Sequence, residues 1–237
     1  MTFRSLSLCL LAALCGLCLS AQAATLSPGT YTIDGGWGTL ELKAQGQDLA
    51  FQIDTQGANG HSCGVDGVLK GQSLSLQLPD GRCEIRFQPG RQGVKVSSNQ
   101  ADACRLYCGA RASFEGEFRT TPPGCTLAQQ TARRKRFRVL YDSMLYADAL
   151  TQIQSLLSDC SAQLGSPLLD WVRNDMAVTQ YKLGQRAACL ATLKTVTVFG
   201  QSDDAIRDNY PPTDAENFIG VARATRTNVK LCSSTRP

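Results

Sequence analysis

The sequence predicts an α+β protein in which an antiparallel β-barrel or sandwich of about eight strands precedes a domain of helical hairpins. Three observations predict this order. Before Thr120, short runs alternate apolar and polar residues and are separated by glycine-rich turns. After Thr120, apolar residues recur every three or four positions, as on one face of a helix. The prolines and glycine of "TTPPGC" mark the linker between the two halves.

Residues 1–23 are predicted to be a secretory signal peptide. Arg4 precedes an apolar run from Leu6 to Leu19, and the small residues Ala21 and Ala23 form a cleavage site, so we expect cleavage near Ala23. No run approaches the ~20 apolar residues that span a bilayer, and we expect no transmembrane anchor. The mature protein is therefore predicted to be periplasmic.

Cysteine usage predicts four disulfides. Cys9, Cys15 and Cys18 leave with the signal peptide, and eight of the eleven cysteines remain. An even number in an oxidising compartment favours disulfides, each stabilising the fold by roughly 2–4 kcal/mol. The eight are Cys63, Cys83, Cys104, Cys108, Cys125, Cys160, Cys189 and Cys232. With one histidine and no paired Cys-x-x-Cys motifs, we expect no metal and no cofactor.

The first domain, residues 24–120, contains the period-two runs, such as "GTLELK", "LAFQID" and "SLSLQL". Turn signals such as "PDG" separate them. We expect the last strand to run from Arg105 to Arg119, because every second residue there is small or apolar.

Strand geometry limits the disulfides of this domain. Cys104 and Cys108 cannot bridge each other in an extended strand, since four residues span about 13 Å, beyond the ~7 Å that a disulfide allows. We predict that Cys63 and Cys83 each pair with one of these two cysteines. A local bridge between Cys104 and Cys108 is the alternative if their segment is a loop.

The second domain, residues 121–237, is predicted to be helical. The apolar spacing from Ala132 to Cys160 indicates two helices with a break between Tyr141 and Tyr146. "SP" at Ser166 opens a second hairpin that turns at Gly184.

One more helix is expected over "PPTDAENFIGVARATRTNVKLC", with Thr213 or Asp214 as its cap and Asp203 and Asp204 in the preceding loop. Antiparallel helices bring the start of one beside the end of the next. This geometry predicts two further disulfides, which are Cys125–Cys160 and Cys189–Cys232.

The helical half resembles the tetratricopeptide-type repeats. In "NDMAVTQYKLGQRAACLATL", Met176 and Ala177 stand where that motif has Leu-Gly, Gly184 takes the turn, and Cys189 and Leu190 take the Ala-aliphatic pair. The earlier "LYADAL" has the equivalent second-helix positions. The resemblance implies a groove that holds peptides or proteins.

Two further resemblances concern the barrel half and the whole chain. In export, size and disulfide content the barrel half resembles the small periplasmic lysozyme inhibitors, although their inhibitory loop motif is missing and no residue is transferred from them. The whole chain resembles a two-domain family of exported proteobacterial proteins in which "NGHSCG" and "CRLYCGARASFEG" recur. That family implies no particular activity.

His61 is the one histidine of the chain, two residues before Cys63. A catalytic role would need either a free Cys63 thiolate or an arrangement with Ser62 and Asp66. Adjacent residues on a strand point to opposite faces, which opposes the second arrangement. We expect His61 to be a structural neighbour of a disulfide and, as an alternative, a partner contact.

The most charged segment is "RRKRFR". We interpret this segment first as a solvated helix face. Cations near a helix N-terminus oppose the helix dipole, which favours, as the alternative, a contact with an acidic partner surface or with anionic envelope lipids. The candidates for this contact are Arg133, Arg134, Lys135, Arg136 and Arg138. Without Arg4 the formal charge of +4 becomes +3, so we expect no nucleic-acid partner.

These features favour a non-enzymatic periplasmic protein that binds another protein. The expected role is that of an inhibitor of, or immunity protein against, a lysozyme-like or other envelope-attacking enzyme. A scaffold or assembly factor for an envelope complex is the alternative, and an envelope hydrolase using His61 is the third hypothesis.

Overall fold

The eight predicted strands are present in the structure, a computed structural model that describes residues 25–100 and 102–234. The strands are β1 (Gly29–Ile33), β2 (Gly38–Gln45), β3 (Asp48–Gln56), β4 (Ser62–Leu69), β5 (Ser73–Leu78), β6 (Gly81–Pro89), β7 (Gly93–Ser98) and β8 (Gly116–Thr120). The predicted signal peptide, with its three cysteines, lies outside the described residues.

All strand pairs are antiparallel, in the order β4-β3-β2-β1-β8-β7-β6-β5. Because β1 pairs with β8, the sheet curls into a nearly closed barrel whose edges are β4 and β5. The interior is apolar, and Leu40, Ile53 and Phe87 are fully buried in it. The Phe51 and Phe87 rings pack with centroids 4.8 Å apart. The α+β fold class with an N-terminal barrel is confirmed.

Two disulfides tie the segment between β7 and β8 to the edge strand β4 and to β6, the neighbour of the edge strand β5. Between β7 and β8 the chain crosses one end of the barrel, where Cys104 bonds to Cys83 on β6 and Cys108 bonds to Cys63 on β4. The predicted pairing of Cys63 and Cys83 with these two cysteines is confirmed. The barrel is thus held nearly closed by covalent bonds where a backbone ladder would otherwise join its edges.

The predicted last strand, Arg105 to Arg119, is wrong over most of its length. Residues Asp102–Tyr107 form a short 3₁₀ helix, and β8 begins at Gly116. Leu106, which the alternation placed inside, is 57% exposed. The reason is that the two disulfides attach this segment to different strands, so it cannot stay extended.

Within the described residues that follow the barrel, up to residue 234, the chain forms six α-helices. They are α1 (Leu127–Asp142), α2 (Tyr146–Cys160), α3 (Ser166–Lys182), α4 (Arg186–Leu193), α5 (Asp203–Asn209) and α6 (Pro212–Ser233). Thr126 and Gln129 form a reciprocal capping box at the start of α1. The break between α1 and α2 and the turn at Gly184 are confirmed. The predicted disulfides Cys125–Cys160 and Cys189–Cys232 are also confirmed.

Two predicted details of the last helices are wrong. Asp203 and Asp204 begin α5, because the Ser202 hydroxyl accepts a hydrogen bond from the Ala205 N–H and caps that helix. Thr213 and Asp214 lie inside the first turn of α6, where Pro211 occupies the cap position. Proline at the start of a helix has its φ already set and lacks the N–H that would stay unbonded.

The barrel contacts the helices through two of its turns. The Gly35 N–H donates to the Ala162 carbonyl, just after α2, at 2.8 Å. The Asn59 side-chain oxygen accepts from the Thr213 N–H at 3.0 Å, and the Asn59 N–H donates to the Asp214 carboxylate at 2.8 Å. The barrel therefore supplies the side-chain cap that Pro211 cannot give to α6.

Candidate partner-binding surface

His61 is half-buried and precedes β4. Its carbonyl accepts from the Gly57 N–H at 2.7 Å, and its ring packs so closely on Gly109 that a Cβ there would overlap Nδ1. Gly109 follows Cys108, which bonds to Cys63. His61 is therefore next to a disulfide, as the sequence predicts.

The groups that a His61-based hydrolase would need lie apart. Cys63 is in a disulfide, and Ser62 and Asp66 are four residues apart on an extended strand, or about 13 Å. A cavity of about 290 Å³ at this end of the barrel is lined by Ser98 and Ser113, and His61 is not part of its lining. Within residues 25–100 and 102–234, no three His, Cys, Asp or Glu side chains gather as a metal site.

The five cations of "RRKRFR" point to different sides of α1. Successive helical residues are rotated by about 100°, so five cations within six positions cannot share one face. Arg133 points toward α2, where its guanidinium donates to Asp159 and Ser155, each at 2.7 Å. Hydrogen bonds from Arg133, Ser158 and Ser155 lower the pKa of Asp159. Arg133 therefore joins α1 to α2.

Arg134 points toward α3, where its guanidinium lies 3.4 Å from the Asp175 carboxylate. Burial raises the pKa of Asp175, and the positive charges of Arg134 and Arg138 only partly oppose this effect. Ionised Asp175 is therefore less favourable in the folded chain than in water. Arg133 and Arg134 have structural partners, which makes them poor candidates for contacts with another molecule.

The variant Asp175→Asn is expected to gain thermal stability at neutral pH. The raised pKa means that the folded chain favours the neutral form of Asp175. The free energy of unfolding is therefore not reduced by Asp175 below its unfolded pKa, about 3.9, and is reduced as pH rises through the folded pKa and the carboxylate ionises. Asparagine does not ionise and avoids this loss. The melting temperatures of variant and wild type, measured from pH 3 to 7, should separate as pH rises. A gap that is constant across this range would contradict the prediction.

Lys135, Arg136 and Arg138 are exposed, as is Val139 beside them. At the turn that follows, Met144 and Leu145 are 74% and 50% exposed. Met144 lies in the turn between α1 and α2 and has a positive φ of 61°, a left-handed backbone conformation. These six residues are termed the α1 surface. Exposed apolar side chains that accompany exposed charges are typical of protein-binding surfaces.

Sequence reasoning found the cations of the α1 surface but missed its apolar part. The apolar spacing from Ala132 to Cys160 includes Leu145 and predicts that it is buried, but Leu145 lies in the break between the two helices and is exposed. The signal that could have found them is the pair Met144-Leu145 inside a predicted turn. Comparison with protein families, with curated proteins and with solved structures finds no match. In the part of the chain described, no helix is long and apolar enough to cross a membrane.

Proposed function

We propose that this protein is a non-enzymatic binding protein of the periplasm that inhibits, or confers immunity against, a lysozyme-like or other envelope-attacking enzyme. The observation that carries the proposal is the α1 surface, which has three exposed cations and three exposed apolar side chains along α1 and the turn that follows it. Such a surface is complementary to an acidic surface with an apolar pocket. The four disulfides support an oxidising compartment outside the cytoplasm.

The two kinds of side chain would contribute differently to binding. Exposed charges accelerate association and select a partner of opposite charge. The apolar side chains supply affinity once water is excluded around them. The resemblance of the helical half to tetratricopeptide-type repeats and of the barrel half to periplasmic lysozyme inhibitors supports a protein partner over anionic lipids, the other contact that the cations suggest.

The test starts with the mature chain, purified from the periplasm and used as bait in an envelope extract. The captured enzyme is then assayed with and without the protein. In the variant Lys135→Glu/Arg136→Glu/Arg138→Glu, the affinity for that enzyme should fall about 10- to 100-fold at 0.15 M salt.

A matched control separates the α1 surface from net charge. Arg91→Glu/Lys95→Glu/Lys230→Glu changes the charge by the same amount at exposed positions elsewhere and should keep the wild-type affinity. Equal losses in the two variants would mean that only the overall charge matters. No inhibition of a captured enzyme by wild-type protein would contradict the inhibitor role.

The two alternatives give different results in the same experiment. A scaffold would use the faces of the helical hairpins, and it predicts capture of envelope assembly components with no effect on enzyme activity. A hydrolase using His61 predicts activity of the isolated protein that is lost in His61→Ala while the fold, measured by circular dichroism, is kept.

A further inference from the structure

The gap between the edge strands β4 and β5 has the features of an acceptor for an additional β-strand. In the described part of the chain, the backbone pairing of these two strands is confined to the Lys70–Ser73 bridge beside their turn. At the other end, the segment from Cys104 to Cys108 connects β6 to β4 through its two disulfides. The gap between these limits is termed the seam.

Hydrogen-bonding groups of β5 point into the seam. The Phe87 N–H on β6 donates to the Gln72 carbonyl, and alternate residues of an antiparallel strand face the same neighbour. Leu74, Leu76 and Leu78 therefore bond toward β6, and the N–H and C=O groups of Ser75 and Gln77 face the seam.

The backbone of Ser73 agrees with this alternation, because it bonds toward β4. The Lys70 N–H donates to the Ser73 carbonyl at 2.9 Å, and the Ser73 N–H donates to the Lys70 carbonyl at 3.4 Å. On the opposite side of the seam, Ser62 accepts from the Gly109 N–H at 2.9 Å. By the same alternation, the backbone groups of Gly64, Asp66 and Val68 on β4 also face the seam. Two rows of backbone donors and acceptors thus border it.

The inner side of the seam is apolar and incompletely covered. Leu74, Leu76 and Leu78 point inward, opposite Ile85 and Cys83, yet they are half-buried, whereas Ile85 and Cys83 are fully buried. Leu74 is partly covered by β4, because its side chain lies over Gly67. The uncovered part extends from Leu76 to Leu78.

Edge strands in proteins usually carry charges, prolines or bulges that prevent pairing with another chain. β5, "SLSLQL", has no charged residue or proline over Ser73–Leu78 and forms a continuous ladder with β6. Among the seam-facing positions of β4, the charged residue is Asp66. Its side chain is exposed and forms no salt bridge within the described ranges. An incoming strand with a cationic side chain would complement it.

We propose that the seam accepts an extended segment of a partner protein, which pairs with β5, covers Leu76 and Leu78 with alternating apolar side chains and places a lysine or arginine near Asp66. This inference rests on the proposed function in that the segment belongs to the bound protein. Main-chain hydrogen bonds to Ser75 and Gln77 supply affinity, and the leucines and Asp66 supply specificity.

The test uses a short synthetic peptide in which valine alternates with lysine or threonine. On titration into the full mature chain, the amides of Ser75 and Gln77 should become protected from hydrogen exchange. The same peptide with every amide nitrogen methylated, so that neither edge can donate or approach β5 closely, should give no protection. Gln77→Pro, which removes a seam-facing N–H but no donor to β6, should weaken binding at least about tenfold. Gln77→Thr should bind like the wild type.

Three outcomes would overturn the inference. Absence of protection with the unmodified peptide would show that β5 accepts no strand, while the α1-surface variants would still test the proposed function separately. Equal protection by the N-methylated peptide would exclude main-chain pairing. Protection of Ser75 and Gln77 without peptide, together with a dimer in light scattering, would mean that a second copy of this chain occupies the seam.

Discussion

In the double variant Cys63→Ser/Cys108→Ser, the free energy of unfolding is expected to fall by about 4 kcal/mol, the entropy that closing a loop of this length removes from the unfolded chain. The bond joins residues 45 positions apart. It also holds β4 to the segment that bridges toward β6. We therefore expect amide exchange to accelerate along β4 and around His61, in addition to the global loss.

The disulfide Cys189–Cys232 provides a matched control, because it closes a loop of nearly the same length, 43 residues. Cys189→Ser/Cys232→Ser should lose a similar free energy, about 4 kcal/mol, and leave exchange in β4 unchanged. Urea unfolding and hydrogen exchange measure the two effects. If both variants left β4 equally protected, the disulfide would not be what closes the barrel. An unchanged midpoint in excess reductant would contradict the role of all four bonds.

Gly36→Ala is expected to weaken the contact between the barrel and the helices. Gly36 has a φ of +69°, and a Cβ there would overlap the Gln163 carbonyl oxygen and the Gly165 nitrogen in the corner between α2 and α3. The left-handed backbone and the overlap together should cost about 3 kcal/mol. The neighbouring Gly35 N–H should lose its bond to Ala162 and exchange faster.

Gly46→Ala separates the backbone cost from the overlap. Gly46 has a similar φ of +64°, and a Cβ there meets no atom within 4 Å. Its substitution should therefore cost only the left-handed conformation, about 1–2 kcal/mol, and leave exchange at Gly35 unchanged. Equal losses in the two variants would show that the tight approach of Gly36 to the α2–α3 corner contributes nothing to the docking of the two halves.

The candidate surface shows how far sequence reasoning reaches. The cations of "RRKRFR" are identifiable from the sequence. Which of them pair with carboxylates inside the protein and which stay exposed is not. Arg133 and Arg134 face Asp159 and Asp175, which lie 26 and 41 residues away along the chain. Which arginine meets which carboxylate depends on how α1 is rotated against α2 and α3, and packing of the whole helical array sets that rotation.

The order of strands and helices follows from residue periodicity along the chain. Alternating residues such as Leu40 and Leu42 predict strands, and three- and four-residue spacing predicts the helical hairpins. Hairpin geometry predicts the two disulfides of the helical half, whereas in the barrel half the sequence leaves open which of Cys104 and Cys108 bonds to Cys63. These signals are local or follow from antiparallel neighbours.

Contacts between distant residues set the path between β7 and β8, the seam beside β5 and the exposure of Met144 and Leu145. The period-two pattern from Arg105 to Arg119 was real in the sequence, but bonds to Cys63 and Cys83 on two other strands overrode it. Likewise, the alternating pattern of β5 is the same whether its leucines are fully or half buried. Their exposure arises because β4 does not pair along β5. Burial and edge position arise from contacts distant in sequence, which residue spacing does not encode.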